Sequence, residues 1–252
     1  MTSPPTPYII GIAGFRRSGK DTLARAIAAV AQSRGMATAI VAFADPLRQA
    51  AAAAYGVNVA EFIDDELKDT VVEAWGITRR QMLINLGEAM RNVDADHWIK
   101  AWRRRVITAS LDTWLDDLSR LQMGENPPSR FRPTLIIAPD LRFTREAVAI
   151  HSLSGINVLL RRDGVTWDGH LNEALAQVAQ HRDDALAAQL GVHYAASNAM
   201  SIADSTSRRI FDCDVDNPVS RRQTEPATEQ QRRELDSLVA AILDRAMQGK
   251  KH

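Results

Sequence analysis

The sequence predicts an α/β protein, a parallel sheet covered by helices on both faces. Three observations carry that expectation. Short apolar runs alternate with longer helical patterns along most of the chain, the signature of parallel strands joined by crossover helices. The first apolar run leads at once into a glycine-containing loop and then into a helical pattern. The composition, 45% hydrophobic and 25% charged over 252 residues, is that of a folded chain long enough to bury one large core.

Taken in order, Tyr8–Ala13 (YIIGIA) reads as a buried strand, and the spacing after it predicts a helix from about Gly19 to Arg34, stopped by Gly35. Thr38–Phe43 (TAIVAF), small and β-branched, is the second strand. Asp45-Pro46 opens an alanine-rich helix, with proline in the first turn, where its missing N–H costs nothing. From about Val57 to Leu118 the pattern is helical throughout. Trp98, Trp102 and Val106 recur every fourth residue and share one face, suited to core packing more than to base stacking. Leu121–Pro133 is rich in turn formers. Thr134–Ala138 (TLIIA) and Ile156–Leu160 (INVLL) are the third and fourth strands, and Arg209–Cys213 is a weaker fifth. A polar linker over Asp216–Thr228 precedes an amphipathic helix at Thr228–Met247. The organisation expected is one domain over residues 1–252, with a core over about 8–215, a helical insertion over about 45–120 and a terminal helix over about 228–247.

Charge narrows the function classes. The 31 Lys and Arg balance 31 Asp and Glu, so the basic footprint of a general nucleic-acid binder is missing. The single cysteine, Cys213, has no partner for an internal disulfide or a cysteine-ligated zinc site. No run of 18 apolar residues exists, and Met1–Pro7 is short and uncharged, so neither a membrane span nor a secretory signal is expected. A cytoplasmic protein acting on small molecules, with no membrane or nucleic-acid polymer as partner, fits these facts. Lysine occurs only at positions 20, 68, 100, 250 and 251, which makes a lysine in a special loop conspicuous.

That loop is Gly14-Phe15-Arg16-Arg17-Ser18-Gly19-Lys20-Asp21-Thr22. It matches G-x-x-x-x-G-K between a predicted strand and a predicted helix, the setting of a phosphate-binding loop (P-loop). Glycines let the main chain curl so that successive N–H groups converge on phosphate oxygens, and the helix start adds its positive dipole end. Gly14, Arg17, Ser18, Gly19, Lys20, Asp21 and Thr22 are therefore the candidate nucleotide-binding residues, with Lys20 supplying the compact charge. Asp21 stands where Ser or Thr normally binds Mg²⁺, so either its carboxylate or the Thr22 hydroxyl is the metal candidate there. The fold class expected is thus a three-layer P-loop NTPase fold.

Asp45 follows the second strand, Asp140 the third and Arg161-Arg162 the fourth. In an open parallel sheet the ligand crevice lies at the carboxyl ends of the strands, which brings these positions toward the loop. Asp140 is a Walker-B-like candidate for Mg²⁺, with a helix N-cap before a segment starting near Arg142 as its competing reading. Asp45 is likewise either a functional carboxylate or a cap before Pro46. Arginines suit charge that spreads over transferring phosphoryl oxygens. Of Arg79, Arg80, Arg91, Arg142, Arg161 and Arg162, the favoured three are Arg91, Arg142 and Arg161, against surface charge as the ordinary fate of each.

These residues together resemble a family, the deoxynucleoside monophosphate kinases of large tailed bacteriophages and related bacterial genes. The likeness runs over most of the chain: the loop at Gly14–Thr22, F-A-D-P-L at Phe43–Leu47, R-R-Q-M-L-I-N-L-G-E-A-M-R at Arg79–Arg91, D-A-D-H-W at Asp94–Trp98 and D-L-R-F-T-R-E-A at Asp140–Ala147. Asp after the loop lysine is ordinary in that family. Gly87-Glu88 stands where the family's Gly-Thr-Glu is expected, and a later His-x-Ser-Glu-like piece is suggested only by His170–Glu173 or His193–Asn198.

The resemblance implies a nucleoside monophosphate kinase-like fold that moves the γ-phosphoryl of ATP, with Mg²⁺, to a deoxynucleoside 5′-monophosphate. It gives Lys20 and the loop amides to the ATP phosphates, where Arg161 is a further candidate from the residues themselves, and Asp140 with Asp21 or Thr22 to the metal. Arg142 becomes a phosphate clamp, and Asp45, Arg91 and Trp98 the monophosphate side. It also implies deoxynucleotide supply in a host cytoplasm and allows a homodimer. Gly124–Pro133 or Arg161–His181 would be the lid. Phosphomevalonate kinases carry a similar Ser-Gly-Lys-Asp loop. A P-loop kinase of a non-nucleotide metabolite, phosphomevalonate- or dephospho-coenzyme-A-kinase-like, is therefore the alternative within the fold. A nucleotide-binding switch is the alternative outside it, though no Asn-Lys-x-Asp tetrad is present.

Overall fold

The computed structural model describes residues 5–64, 66–123, 131–166, 175–176, 211–218 and 227–248. They fall into two compact units, Met1–Ala42 with Arg105–His252, and Phe43–Arg104.

The larger unit is built on five strands: β1 (Tyr8–Ala13), β2 (Ala37–Ile40), β5 (Thr134–Ala138), β6 (Ile156–Arg162) and β7 (Cys213–Asn217). Every pairing is parallel, in the order β2-β5-β1-β6-β7. An all-parallel sheet needs cover on both faces, and the strand sequences meet that need with near-continuous apolar residues. On one face, Ile10, Ile12, Leu135, Ile137, Val158 and Leu160 form a single core with two helices, α1 (Lys20–Ser33) and α6 (Glu229–Gln248). Helix α1 contributes Leu23, Ala24, Ile27, Ala28 and Ala31, the 3–4 spacing of one apolar stripe; α6 contributes Val239, Ile242, Leu243 and Ala246. On the opposite face lies α5 (Thr144–His151), whose Ile150 closes on Gly11 of β1 so tightly that a Cβ there would stand 2.3 Å from its Cδ1. With helices on both faces of the parallel sheet and the glycine loop leading from β1 into α1, this is the three-layer P-loop NTPase fold.

The smaller unit begins with α2 (Asp45–Tyr55), runs through two single 3-10 turns (Val59–Phe62 and Leu67–Asp69), and forms a two-residue hairpin, β3 (Val71–Val72) with β4 (Ile77–Thr78). It ends in α3 (Arg79–Val93) and the start of α4 (His97–Gln122). Ala51, Phe62 and Met82 are its buried core. The Phe43 ring stacks on Trp102, centroids 4.2 Å apart and planes 24° apart. The Trp98 indole N–H donates to the Gly87 carbonyl at 3.1 Å. Trp98, Trp102 and Val106 are all buried, so the tryptophans serve packing.

Four expectations are corrected. The stretch from Val57 is not helical throughout: Gly76 and the short β-branched runs around it close a hairpin instead. The second strand stops at Ile40; the Val41 N–H still donates to Ile137 at 2.8 Å, after which the chain turns at Phe43 into α2. Among the described residues the fifth strand is Cys213–Asn217, where the expectation ended at Cys213; its register with β6 runs from Cys213 opposite Val158 to Asn217 opposite Arg162, and Arg209-Ile210 lie outside the described residues. Asp140 is not a helix cap: α5 starts at Thr144, and its first turn is closed by Glu146. His170–Glu173, His193–Asn198, most of Gly124–Pro133 and most of Arg161–His181 lie outside the described residues. Among the described residues, no helix is long and apolar enough to cross a membrane.

Candidate functional site

The loop leaves β1 between the two strands that flank it. Ala13 pairs with Leu159, so Gly14 passes directly over the end of β6, and a Cβ on Gly14 would lie 2.5 Å from the Leu160 carbonyl oxygen. That main-chain oxygen has nowhere to go, and only glycine fits. The chain then turns tightly, with the Ser18 N–H donating to Phe15 O at 3.1 Å. Arg17 and Gly19 take φ of 65° and 98°, left-handed values that curl successive peptide groups the same way. Helix α1 starts at Lys20, with Gly19 as its cap and no side-chain hydrogen bond capping it, the setting in which a helix start favours an anion.

Lys20 reaches back over the loop and donates from Nζ to Gly14 O and Phe15 O, both at 2.7 Å. Its ammonium therefore sits within the curl of main chain rather than out in solvent. Ser18 is buried, and its hydroxyl has no hydrogen-bond partner. Asp21 and Thr22 stand exposed on the first turn of α1. A carboxylate there also suits the helix dipole.

On the other side of β1, Gly11 pairs with Ala138, so the end of β5 and the Asp140 turn beyond it lie at the same carboxyl edge as the loop. The Leu141 N–H donates to Ile12 O at 3.2 Å and ties that turn to β1. Arg142 is exposed, but its N–H donates to Glu146 Oε2 at 2.8 Å, and the Phe143 N–H does the same at 3.1 Å. Glu146 is buried. Burial first, and the nearby Asp140 charge second, push its carboxyl up to about 8.

At the far side, Arg161 and Arg162 point to opposite faces of β6, as strand alternation requires. Arg161 pairs with Asp214 of β7, while Arg162 Nη1 donates to the Arg17 carbonyl at 3.0 Å. The Asn217 side chain at the end of β7 donates to Ser18 O at 2.9 Å. The carboxyl edge thus gathers Gly14 through Thr22, Asp140, Arg142, Arg161 and Arg162.

Within the smaller unit, Asp45 is in the first turn of α2 and pairs with Arg48 at 2.9 Å. Arg91 lies on α3 one turn beyond Gly87, and both Arg91 and Leu47 would crowd a Cβ at Gly87, at 3.3 Å each. Arg79 is bound into the unit, with Nε donating to Glu61 at 2.7 Å and Nη1 to the Thr70 hydroxyl at 2.6 Å. Arg80 pairs with Asp69 at 2.6 Å. Lys100 holds the Asp94 carboxyl below the usual range, with help from the Asp96 N–H.

Sequence reasoning did not single out Asn217 or Glu146. The alternation of Cys213 and Val215 with polar neighbours is the signal that makes Asn217 a strand end. Glu146 at the third position of a helix, reaching back to N–H groups before it, is the acidic half of a capping arrangement.

No protein-family model matches the chain, and no curated protein matches it either. Among solved structures, a dephospho-CoA kinase from Campylobacter jejuni aligns over 94% of this chain and 98% of its own, with 12% identity and a TM-score of 0.31. So distant a likeness carries no argument, and the fold rests on the topology and loop described above.

Proposed function

We propose that the chain is an ATP-dependent phosphotransferase whose acceptor is a deoxynucleoside 5′-monophosphate. The observation that supports it best is the curled loop, with Lys20 across Gly14 O and Phe15 O and a bare helix start behind it. The loop suits ATP on its own chemistry. Glycine at positions 14 and 19, where a Cβ would meet the Leu160 carbonyl and the Asn217 side chain, keeps the curl possible, and the buried Ser18 hydroxyl, with no partner among the described residues, supports reading the loop as an anion cradle. A magnesium ion that arrives with phosphates needs only one or two carboxylates and water, which Asp140 with Asp21 or Thr22 would supply. When bound, it would neutralise charge between the β- and γ-phosphates.

In this reading Gly14, Arg17, Ser18, Gly19 and Lys20 hold the ATP phosphates, and Arg161 serves the nucleotide by leaving Asp214. Arg142 clamps the transferring group. Asp45 and Arg91 hold the acceptor; the choice of acceptor rests on the sequence resemblance carried by Phe43–Leu47 and Arg79–Arg91. An acceptor phosphate is already an oxyanion at neutral pH, so no general base is required and catalysis is positioning and charge stabilisation.

An ADP-release assay tests it with dAMP, dGMP, dCMP and dTMP, and with phosphomevalonate and dephospho-coenzyme A as competing acceptors. Turnover with at least one deoxynucleotide is expected. Turnover with a non-nucleotide acceptor alone would replace the substrate assignment, and ATP binding without transfer to any acceptor would favour a switch.

A further inference from the structure

The loop's curl is held from within by Lys20 and the Ser18–Phe15 turn, and from outside by two strand ends. Arg162 and Asn217 are register partners, side by side at the carboxyl ends of β6 and β7. They donate to consecutive loop carbonyls, Arg162 to Arg17 O at 3.0 Å and Asn217 to Ser18 O at 2.9 Å. A peptide group points its C=O and the following N–H in opposite directions. Fixing the Ser18 carbonyl toward the strand ends therefore aims the Gly19 N–H the other way, and fixing the Arg17 carbonyl holds the peptide whose Ser18 N–H closes the turn onto Phe15 O. Arg17 needs such help, since φ of 65° is a left-handed conformation that a non-glycine residue seldom adopts unaided. The fit at Asn217 is close: a Cβ on Gly19 would stand 2.6 Å from its Nδ2.

We infer that Arg162 and Asn217 are positioning residues that hold the phosphate loop in its anion-binding curl before any ligand arrives. Neither is assigned contact with the reacting atoms; they act through the orientation of loop amides. The inference rests on the nucleotide reading of the loop.

The test measures MgADP affinity by titration calorimetry, with thermal melts alongside, for wild type, Asn217→Asp, Asn217→Ala, Arg162→Gln and Lys20→Ala. Asn217→Asp keeps the shape but turns an oxygen toward the Ser18 carbonyl, so it should be the worse of the two: about tenfold weaker binding or more, with Asn217→Ala a few-fold weaker. Arg162→Gln should weaken binding by a similar few-fold. If the side chain merely fills space, Asn217→Asp binds like wild type and Asn217→Ala does not, and that order overturns the inference. Should Asn217→Asp fail to fold, Arg162→Gln and Asn217→Ala decide it, and wild-type affinity in both overturns it. Wild type and Lys20→Ala both failing to bind MgADP would instead overturn the nucleotide reading, and this inference with it.

Discussion

In the proposed reading Lys20 is the residue on which the chemistry turns, and its two bonds to loop carbonyls tie it to the loop's shape as well. Lys20→Ala lies outside both cores, so the fold should persist while kcat/KM falls by a hundredfold or more, roughly 3 kcal/mol of lost transition-state stabilisation. Steady-state kinetics with a melt as control would show it, and near-wild-type turnover would remove Lys20 from the site. Glu146 makes a different prediction. Its carboxyl sits at about 8 in the folded chain against an ordinary 4.5. Between those values the folded state holds a proton that the unfolded chain has released, so stability falls as pH rises through that window and levels off above it. Glu146→Gln keeps an oxygen for the Arg142 and Phe143 N–H groups and has no proton to lose. Denaturant midpoints across pH should therefore be flatter for the variant, and an equally flat wild-type profile would contradict the assignment. At this scale the placement of the loop glycines and Lys20 in a turn between strand and helix was legible from spacing alone. Arg162 was not separable from Arg161 until β6 fixed which face each occupies.

Elements carry the loop. The sheet order puts β1 between β5 and β6, so the loop after β1 and the turn after β5 meet at one edge. Gly19→Ala places a side chain at φ of 98° and against Asn217, and should cost about 1–3 kcal/mol in chemical denaturation together with nucleotide affinity. Leu243 of α6 is wholly buried against the α1 face; Leu243→Ala should cost about 3 kcal/mol while leaving KM for ATP unchanged. The strands β1 and β5 were read correctly to the residue, since each is an unbroken apolar run bounded by turn formers. The hairpin at Val71–Thr78 was not, because two-residue strands leave too few positions for a period to register. Asp214–Asn217 fell beyond the expected strand for a related reason: the outer face of that strand is polar, so it resembles a linker until β6 is beside it.

For the molecule as a whole, zero formal charge describes a balance rather than an even spread. Lys20, Arg142 and Arg162 stand with Asp21 and Asp140 at the carboxyl edge of the sheet, the mixed site that the proposed reading gives to a free phosphate ester with its metal. We expect no measurable retention on double-stranded DNA at physiological salt, since the formal charge of the chain is zero. The most direct measurement of the central claim is a ³¹P NMR time course of the protein with MgATP and the four deoxynucleoside monophosphates. The account predicts loss of the ATP γ-resonance matched by new diphosphate resonances of at least one deoxynucleoside diphosphate. Release of orthophosphate alone, or an unchanged spectrum, would contradict it.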